Sequence, residues 1–174
     1  MIITISGKAG SGKDTIGKLL SKKLGFKMIK GTMKTYAKRM GIDILEFEMK
    51  YAEKSDEWDK KLDEWQKKVI KKYKDCILVS MLSAYNIPNA DFKIFLTASV
   101  KARANRISKR DKIPKKNAVD YVKKRDRVTR NRIKRIYGID FWDKKFYDMV
   151  IDTSKLEPEK IVSKILEKLK RKIK

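Results

Sequence analysis

The chain of 174 residues has no histidine, one cysteine and three prolines. Without histidine there is no imidazole acid–base catalysis and no His-ligated metal centre. A single cysteine excludes a disulfide framework and Cys-rich zinc sites. Cys76 sits in an apolar run and reads as a small buried hydrophobe. No apolar run approaches the roughly 18 residues that a membrane span needs. The N-terminus enters Met1-Ile2-Ile3-Thr4-Ile5 at once, without the charged lead or cleavage pattern of a secretory signal. A cytoplasmic protein with no membrane partner is therefore expected. Acidic side chains are also scarce, 22 against 46 basic ones, which leaves a net charge of +24.

What is present points to a folded enzyme-sized domain. Hydrophobic residues make up 41% of the chain, too many for a disordered one. The length suits a single domain over residues 1–174 with a core of its own. The positive charge is uneven. Residues 101–135 carry sixteen basic and three acidic side chains, and eight of the ten arginines lie between 103 and 135. Such a stretch faces phosphate ligands, nucleic acid or water alone. Lysine outnumbers arginine 36 to 10, and a solvated, thermophile-like lysine surface accounts for the scattered lysines but not for the clustered arginines.

Strand-like and helix-like patterns alternate along the chain. Ile2, Ile3 and Ile5 form a buried strand ending at Gly7, and Ile16, Leu19, Leu20 and Leu24 mark a helix over 15–24. Short apolar runs at 26–29, 76–79, 92–96 and 149–151 read as further strands. The spacing predicts helices over 32–40, 99–110 and 115–136, the last two joined around Pro114, and a final helix from Pro158. Residues 43–73 read as one helical stretch with Trp58, Leu62, Trp65 and Val69 on its packing stripe. Strands alternating with helices predict a three-layer α/β/α fold with a mainly parallel five-stranded sheet.

Two constellations carry chemistry. Gly7-Lys8-Ala9-Gly10-Ser11-Gly12-Lys13-Asp14-Thr15 follows the first strand and opens the first helix, the context that a phosphate loop demands. Glycines let backbone N–H groups wrap an oxyanion, the helix N-terminus adds partial positive charge, and Lys13 reaches the β- and γ-phosphates. The alternative is a Gly-rich turn with no ligand. Asp14 stands where a metal-binding Ser or Thr is usual, and Thr15 follows it, so these two are the candidates beside Mg²⁺. The second constellation is the arginine stretch. Arg103, Arg106 and Arg110 share one helical stripe beside Val100, Ala104 and Ile107, and Arg125 and Arg132 share another with Arg130 between them. Two short helices carrying arginines around a Pro-containing turn make a lid over residues 103–135, with a solvated basic hairpin or a nucleic-acid surface as the alternatives.

Other features carry blander readings. Glu46, Glu48, Glu53 and Asp56 are interleaved with Lys50 and Lys54 and read as surface ion pairs rather than a metal cluster. Trp58, Leu62 and Trp65 read as packing rather than a base-stacking platform, and Lys168–Lys174 as a basic helix end.

The sequence resembles the archaeal-type cytidylate kinases, within the nucleoside monophosphate kinases of the P-loop class. The resemblance rests on the phosphate loop, then Glu46-Phe47, Lys50-Tyr51-Ala52-Glu53, Asp59, Asp63 and Gln66. It continues through Arg103 to Arg110, Arg130, Arg132 and Tyr137-Gly138-Ile139-Asp140, and closes at 147–154 and Pro158-Glu159. It implies ATP with Mg²⁺ at residues 7–15 and a helical acceptor-binding segment over 31–74 that includes Gly31, Lys34 and Asp63. It also implies the lid and direct phosphoryl transfer to a nucleoside monophosphate, most simply CMP or dCMP. Lys13, Arg106, Arg110, Arg125, Arg130 and Arg132 are the expected catalytic side chains. The chain departs from the family pattern after the third strand. The family has an acidic or small residue and then Gly-Arg, with the arginine gripping the acceptor phosphate; here the run is Ser80-Met81-Leu82. The family's acceptor-segment arginine is Lys34, which keeps the charge and loses the fork. These departures and the charge surplus leave a second class open: a P-loop kinase or NTPase acting on or docked to RNA, or an RNA-associated protein that has only kept the fold. Exchange of Lys13 for Ala is expected to abolish ATP turnover, measured as ADP formation; full turnover in that variant would contradict the phosphate-loop assignment.

Overall fold

The computed structural model describes residues 1–173, so Lys174, part of the basic end read at 168–174, lies outside the described residues. Five strands form one sheet: β1 (Ile2–Gly7), β2 (Lys27–Lys30), β3 (Cys76–Val79), β4 (Phe92–Thr97) and β5 (Met149–Asp152). Their order is β2-β3-β1-β4-β5 and every pairing is parallel. The helices between them are α1 (Lys13–Leu24), α2 (Met33–Arg39), α3 (Ile44–Phe47), α4 (Glu57–Ile70), α5 (Ser83–Asn86), α6 (Val100–Asp111), α7 (Lys115–Tyr137) and α8 (Pro158–Ile173). Among the described residues no helix is long and apolar enough to cross a membrane.

The two-residue period of the strands sorts the core into two layers. Ile3, Ile5, Ile77, Val79, Ile94, Leu96 and Ile151 point to one face and pack with Ile16 and Leu20 of α1 and Ile161, Val162 and Ile165 of α8. Cys76, Leu78 and Phe95 point to the other face, where α4, α5 and α7 cover them through Ile70, Ile87 and Ile133. Sheet and helices thus make the three-layer α/β/α arrangement that the alternation predicts. The chain leaves β1 toward β2 on one side and later reaches β4 on the other, so the connections part at the carboxyl end of β1. A parallel sheet opens its ligand crevice at such a point.

The stretch read as one helix over 43–73 is broken. It runs as α3, a π-helical turn over Glu48–Ala52, and then α4 after a gap. The π turn coincides with Glu48, which is 1% exposed, rather than on the surface as the charge pattern suggested. The buried face of α4 is Asp59, Asp63, Gln66 and Ile70, and Trp65 stays 42% exposed. Phe47 instead anchors a separate small core with Met33, Ala37, Ile44 and Ala52, its ring 5.2 Å from that of Trp58. Trp58 therefore packs, as read, while Trp65 lies against Gly31. Asp43 caps α3 by accepting from the Leu45 N–H.

α6 and α7 form a hairpin turned at Lys112–Pro114, and their shared core is Ala104, Ile107, Ala118 and Val122. Arg103, expected on the open flank of α6, is 1% exposed and forks onto Asp126 of α7 at 2.9 and 2.6 Å. Phe47→Ala empties the centre of the small core and is expected to cost about 3–5 kcal/mol. A urea unfolding curve checks this; an unchanged midpoint would mean that this core adds nothing to stability.

Candidate functional site

The loop between β1 and α1 bends because its glycines permit it. Gly7 has φ 150, and a Cβ there would lie 2.2 Å from the Leu96 carbonyl oxygen, so no side chain fits. Gly10, Gly12, Lys13, Asp14 and Thr15 line one end of a cavity of about 370 Å³. Lys13 donates through Nζ to the Lys8 carbonyl at 3.0 Å. Its ammonium is pushed down to about 7 chiefly by removal from water, with Arg125 and Arg110 adding to the effect against the opposing charge of Asp14. Lys8 turns away from the cavity and sits 3.5 Å above the Trp142 ring. Ser11 is buried beneath the loop.

The arginines occupy the middle of the same cavity. Arg106, Arg110, Arg125 and Arg132 all line it. Arg106 donates to the Gly10 carbonyl at 3.3 Å and to the Thr153 hydroxyl and carbonyl at 2.9 and 2.6 Å. Arg110 forks onto Asp111, which also accepts from Lys34 at 2.8 Å. Burial alone would raise the Asp111 carboxyl; these two cations hold it down to about 2. Arg125 bonds Glu48 at 3.2 Å, and Arg132 lies 3.7 Å from Glu48 and 3.3 Å from Asp59. Arg132 is buried, and its Nε and Nη1 have no hydrogen-bond partner; neither does Asp59 Oδ2. These donors face the Glu48 and Asp59 carboxylates at ion-pair distance without a hydrogen bond, so an entering anion would compete with those carboxylates for them. The structure places Arg130 elsewhere: it pairs with Asp140 at 2.6 Å, 4.9 Å from the Trp142 ring, and does not line the cavity.

The far end of the cavity is polar. Asp63 accepts from Asn86 at 2.6 Å and from the Tyr137 hydroxyl. Gln66 accepts from Asn86 at 2.9 Å and donates to the Gly31 carbonyl at 3.2 Å. Burial raises both Asp59, to about 6, and Asp63. Gly31, Lys34 and Asp63, all expected in an acceptor site, line this cavity. Glu48, Gln66, Ser80 and Asn86 line it too, and sequence reasoning gave them no role. Their signal was faint. Glu48 looked like one acid of a surface run, and Ser80 and Asn86 flank the place where the family arginine is missing.

Metal binding can be judged from the donors. Among the described residues no group of three or more carboxylate or thiol side chains is placed to hold an ion. Asp14 is tied to Lys30, and Thr15 lines the cavity beside it. This set suits an ion carried mainly by substrate phosphates, with one or two protein contacts, and not a caged ion.

Comparison with known proteins identifies the family of the chain. The family model described as "Cytidylate kinase-like family" matches residues 2–155. The cytidylate kinase of Sulfolobus acidocaldarius is 41% identical over 175 residues, covering 99% of this chain and 96% of its own. That of Sulfurisphaera tokodaii is 39% identical, covering 96% and 93%. That of Methanobrevibacter smithii is 37% identical, covering 98% and 99%. Among solved structures, shikimate kinase from Acinetobacter baumannii in complex with shikimate superposes with a TM-score of 0.65 at 18% identity, covering 99% of this chain and 95% of its own. Deoxyadenosine kinase from M. mycoides with bound dATP gives 0.60 at 19%, covering 98% and 100%. At such low identity these two speak for the fold alone.

A phosphate placed beside Lys13 restores its proton, so binding draws one from solvent wherever the free lysine is neutral. Adenine nucleotide affinity is expected to fall as pH rises through about 7. Calorimetry at a pH of about 8.5, in buffers of differing ionisation heat, should show net proton uptake; no uptake would mean that Lys13 is already charged.

Proposed function

We propose that this chain, which belongs to the cytidylate kinase-like family and is a nucleoside monophosphate kinase, transfers the γ-phosphoryl of ATP to CMP and dCMP. The observation that carries the reading is the single cavity. Its lining includes Gly12 and Lys13, Arg110, Arg125 and Arg132, and Asp59 and Asp63. Two nucleotides entering from opposite ends would meet phosphate to phosphate among the arginines.

In this reading residues 31–74 are the acceptor-binding segment and residues 103–135, within the α6–α7 hairpin, are the lid. The backbone N–H groups of the loop and Lys13 hold the β- and γ-phosphates of ATP. Arg132, ion-paired to Asp59 and Glu48 without hydrogen-bonding them, and Arg125 and Arg110 face the migrating group and stabilise the charge that spreads over it in the transition state. The acceptor phosphate oxygen attacks in line, ADP leaves, and no covalent enzyme intermediate is needed. Magnesium, when bound with the nucleotide near Asp14 and Thr15, supplies further neutralisation of the phosphates. Lys34 and the lid arginines stand in for the arginine missing after β3.

The base end favours cytosine by its hydrogen-bonding pattern. Cytosine presents an amino donor and two acceptors, N3 and O2. Asp59 offers the amino group a carboxylate oxygen, which lies 3.3 Å from Arg132 Nε as an ion pair without forming a hydrogen bond. Uracil would bring a carbonyl against the carboxylate. ADP formation is expected with CMP or dCMP, together with CDP or dCDP, and far less with UMP or AMP. Turnover stimulated only by RNA would replace this reading. Asp59→Asn should lower the CMP-over-UMP ratio of kcat/KM about tenfold. An unchanged ratio would remove Asp59 from base recognition.

A further inference from the structure

The phosphate loop is held from behind. A peptide's C=O and N–H point in opposite directions, so fixing a carbonyl aims the neighbouring N–H. Five successive carbonyls, from Lys8 to Gly12, each accept a hydrogen bond from outside the loop or from the helix it opens. Lys8 accepts from Lys13 at 3.0 Å, Ala9 from Arg103 at 3.2 Å, and Gly10 from Arg106 at 3.3 Å. Ser11 accepts from the Thr153 hydroxyl at 2.9 Å, and Gly12 from the Ile16 N–H at 3.0 Å. With the carbonyls turned outward, the Gly10 and Gly12 N–H groups are free to face an oxyanion, while the Ser11 N–H closes a turn on the Lys8 carbonyl at 3.2 Å.

Of the three charged donors, Lys13, Arg103 and Arg106, only Arg103 has no other stake in the cavity. It does not line it and is 1% exposed. Its Nε donates to the Ala98 carbonyl at 3.1 Å, beyond the end of β4, and both Nη atoms fork onto Asp126. One Nη also reaches Ala9, 94 residues away. The fork alone would join α6 to α7. The Ala98 and Ala9 bonds extend the same guanidinium to the sheet and the loop. The Ala9 methyl group sits in the apolar core shared by α6 and α7. A Cβ on Gly10 would lie 3.0 Å from the Arg103 carbonyl oxygen and 3.1 Å from Ile107 Cδ1, so the loop rests directly on α6.

We propose that Arg103, clamped by Asp126, is a positioning residue for phosphoryl-donor binding, acting on the nucleotide through the Ala9 carbonyl without touching it. Its effect should fall on the donor and spare the acceptor, whereas a purely structural brace would weaken both. The inference rests on residues 7–15 holding nucleotide phosphate, which ADP binding by the unaltered chain checks separately.

The test is calorimetric titration of the full chain with ADP and, separately, with CMP, in unaltered protein, Arg103→Lys, Asp126→Asn and Asp126→Glu. Lysine keeps the charge but gathers its donors on one nitrogen and cannot fork. Asn keeps the shape and loses the clamp, and Glu retains it. ADP affinity is expected to fall about tenfold in Arg103→Lys and Asp126→Asn, the worth of a charged hydrogen bond. It should recover in Asp126→Glu, with CMP affinity unchanged throughout. The amide resonances of Gly10 and Gly12 should shift in the two weakened variants. Equal loss of ADP and CMP binding, or unchanged ADP binding, would overturn the proposal. Should Arg103→Lys fail to fold, the contrast between Asn and Glu at the partly exposed Asp126 decides it, and equal ADP affinity in those two overturns it. No ADP binding by the unaltered chain would overturn the phosphate-loop assignment and this inference with it.

Discussion

Mutual repulsion among cations is the constraint around which this molecule is arranged. Lys13, Arg106, Arg110, Arg125 and Arg132 converge on one cavity. Like charges that close together, partly out of water, oppose folding unless each has a partner. Each has one here. Glu48 and Asp59 hold Arg125 and Arg132, Asp111 holds Arg110, and Asp14 favours the charge on Lys13. Arg106 spends its donors on Gly10 and Thr153. The acids sit on elements far apart in the chain, and this draws α2–α4 and the α6–α7 hairpin around the carboxyl ends of the strands.

The ion pairs also tie the two helical pieces together. Lys34 of α2 bonds Asp111 of α6, and Tyr121 of α7 donates to Asp43 at 3.0 Å. Arg135 reaches Asp56 at 2.5 Å. Down α7, residues 121, 125, 132 and 135 meet the segment 43–59 at one contact after another. These contacts are a network rather than isolated surface pairs, and the inner ones are buried. In the proposed reading an arriving phosphate would compete with Glu48 and Asp59 for the same guanidinium groups. Substrate binding and the internal pairing of the site are therefore linked by a shared set of donors.

The parts of this arrangement that were legible in the sequence are those encoded locally. Ile2 to Gly7, the glycines and Lys13 announce a strand, a turn and a helix start within a dozen residues. The hairpin shows in the spacing of Val100, Ala104 and Ile107 and in Pro114. What was not legible depends on partners far away in sequence. Glu48 looked like one more surface acid because Arg125 and Arg132 are 77 and 84 positions distant; only their docking makes its burial tolerable. Asp59, Asp63 and Gln66 form the inner face of α4 against ordinary hydrophobic periodicity, because that face borders the cavity and finds polar partners in Arg132, Asn86 and Tyr137. Arg103 read as a flank residue for the same reason, its carboxylate partner lying on the next helix.

The central claim is that one cavity brings two nucleotides together. The most direct test is a bisubstrate molecule in which adenosine and cytidine are joined through a pentaphosphate, assayed as an inhibitor of phosphoryl transfer. The account predicts inhibition competitive against both ATP and CMP, with affinity well above that of either nucleotide, since one molecule would fill both ends. Inhibition competitive against ATP alone, with no gain over an adenosine polyphosphate, would contradict it.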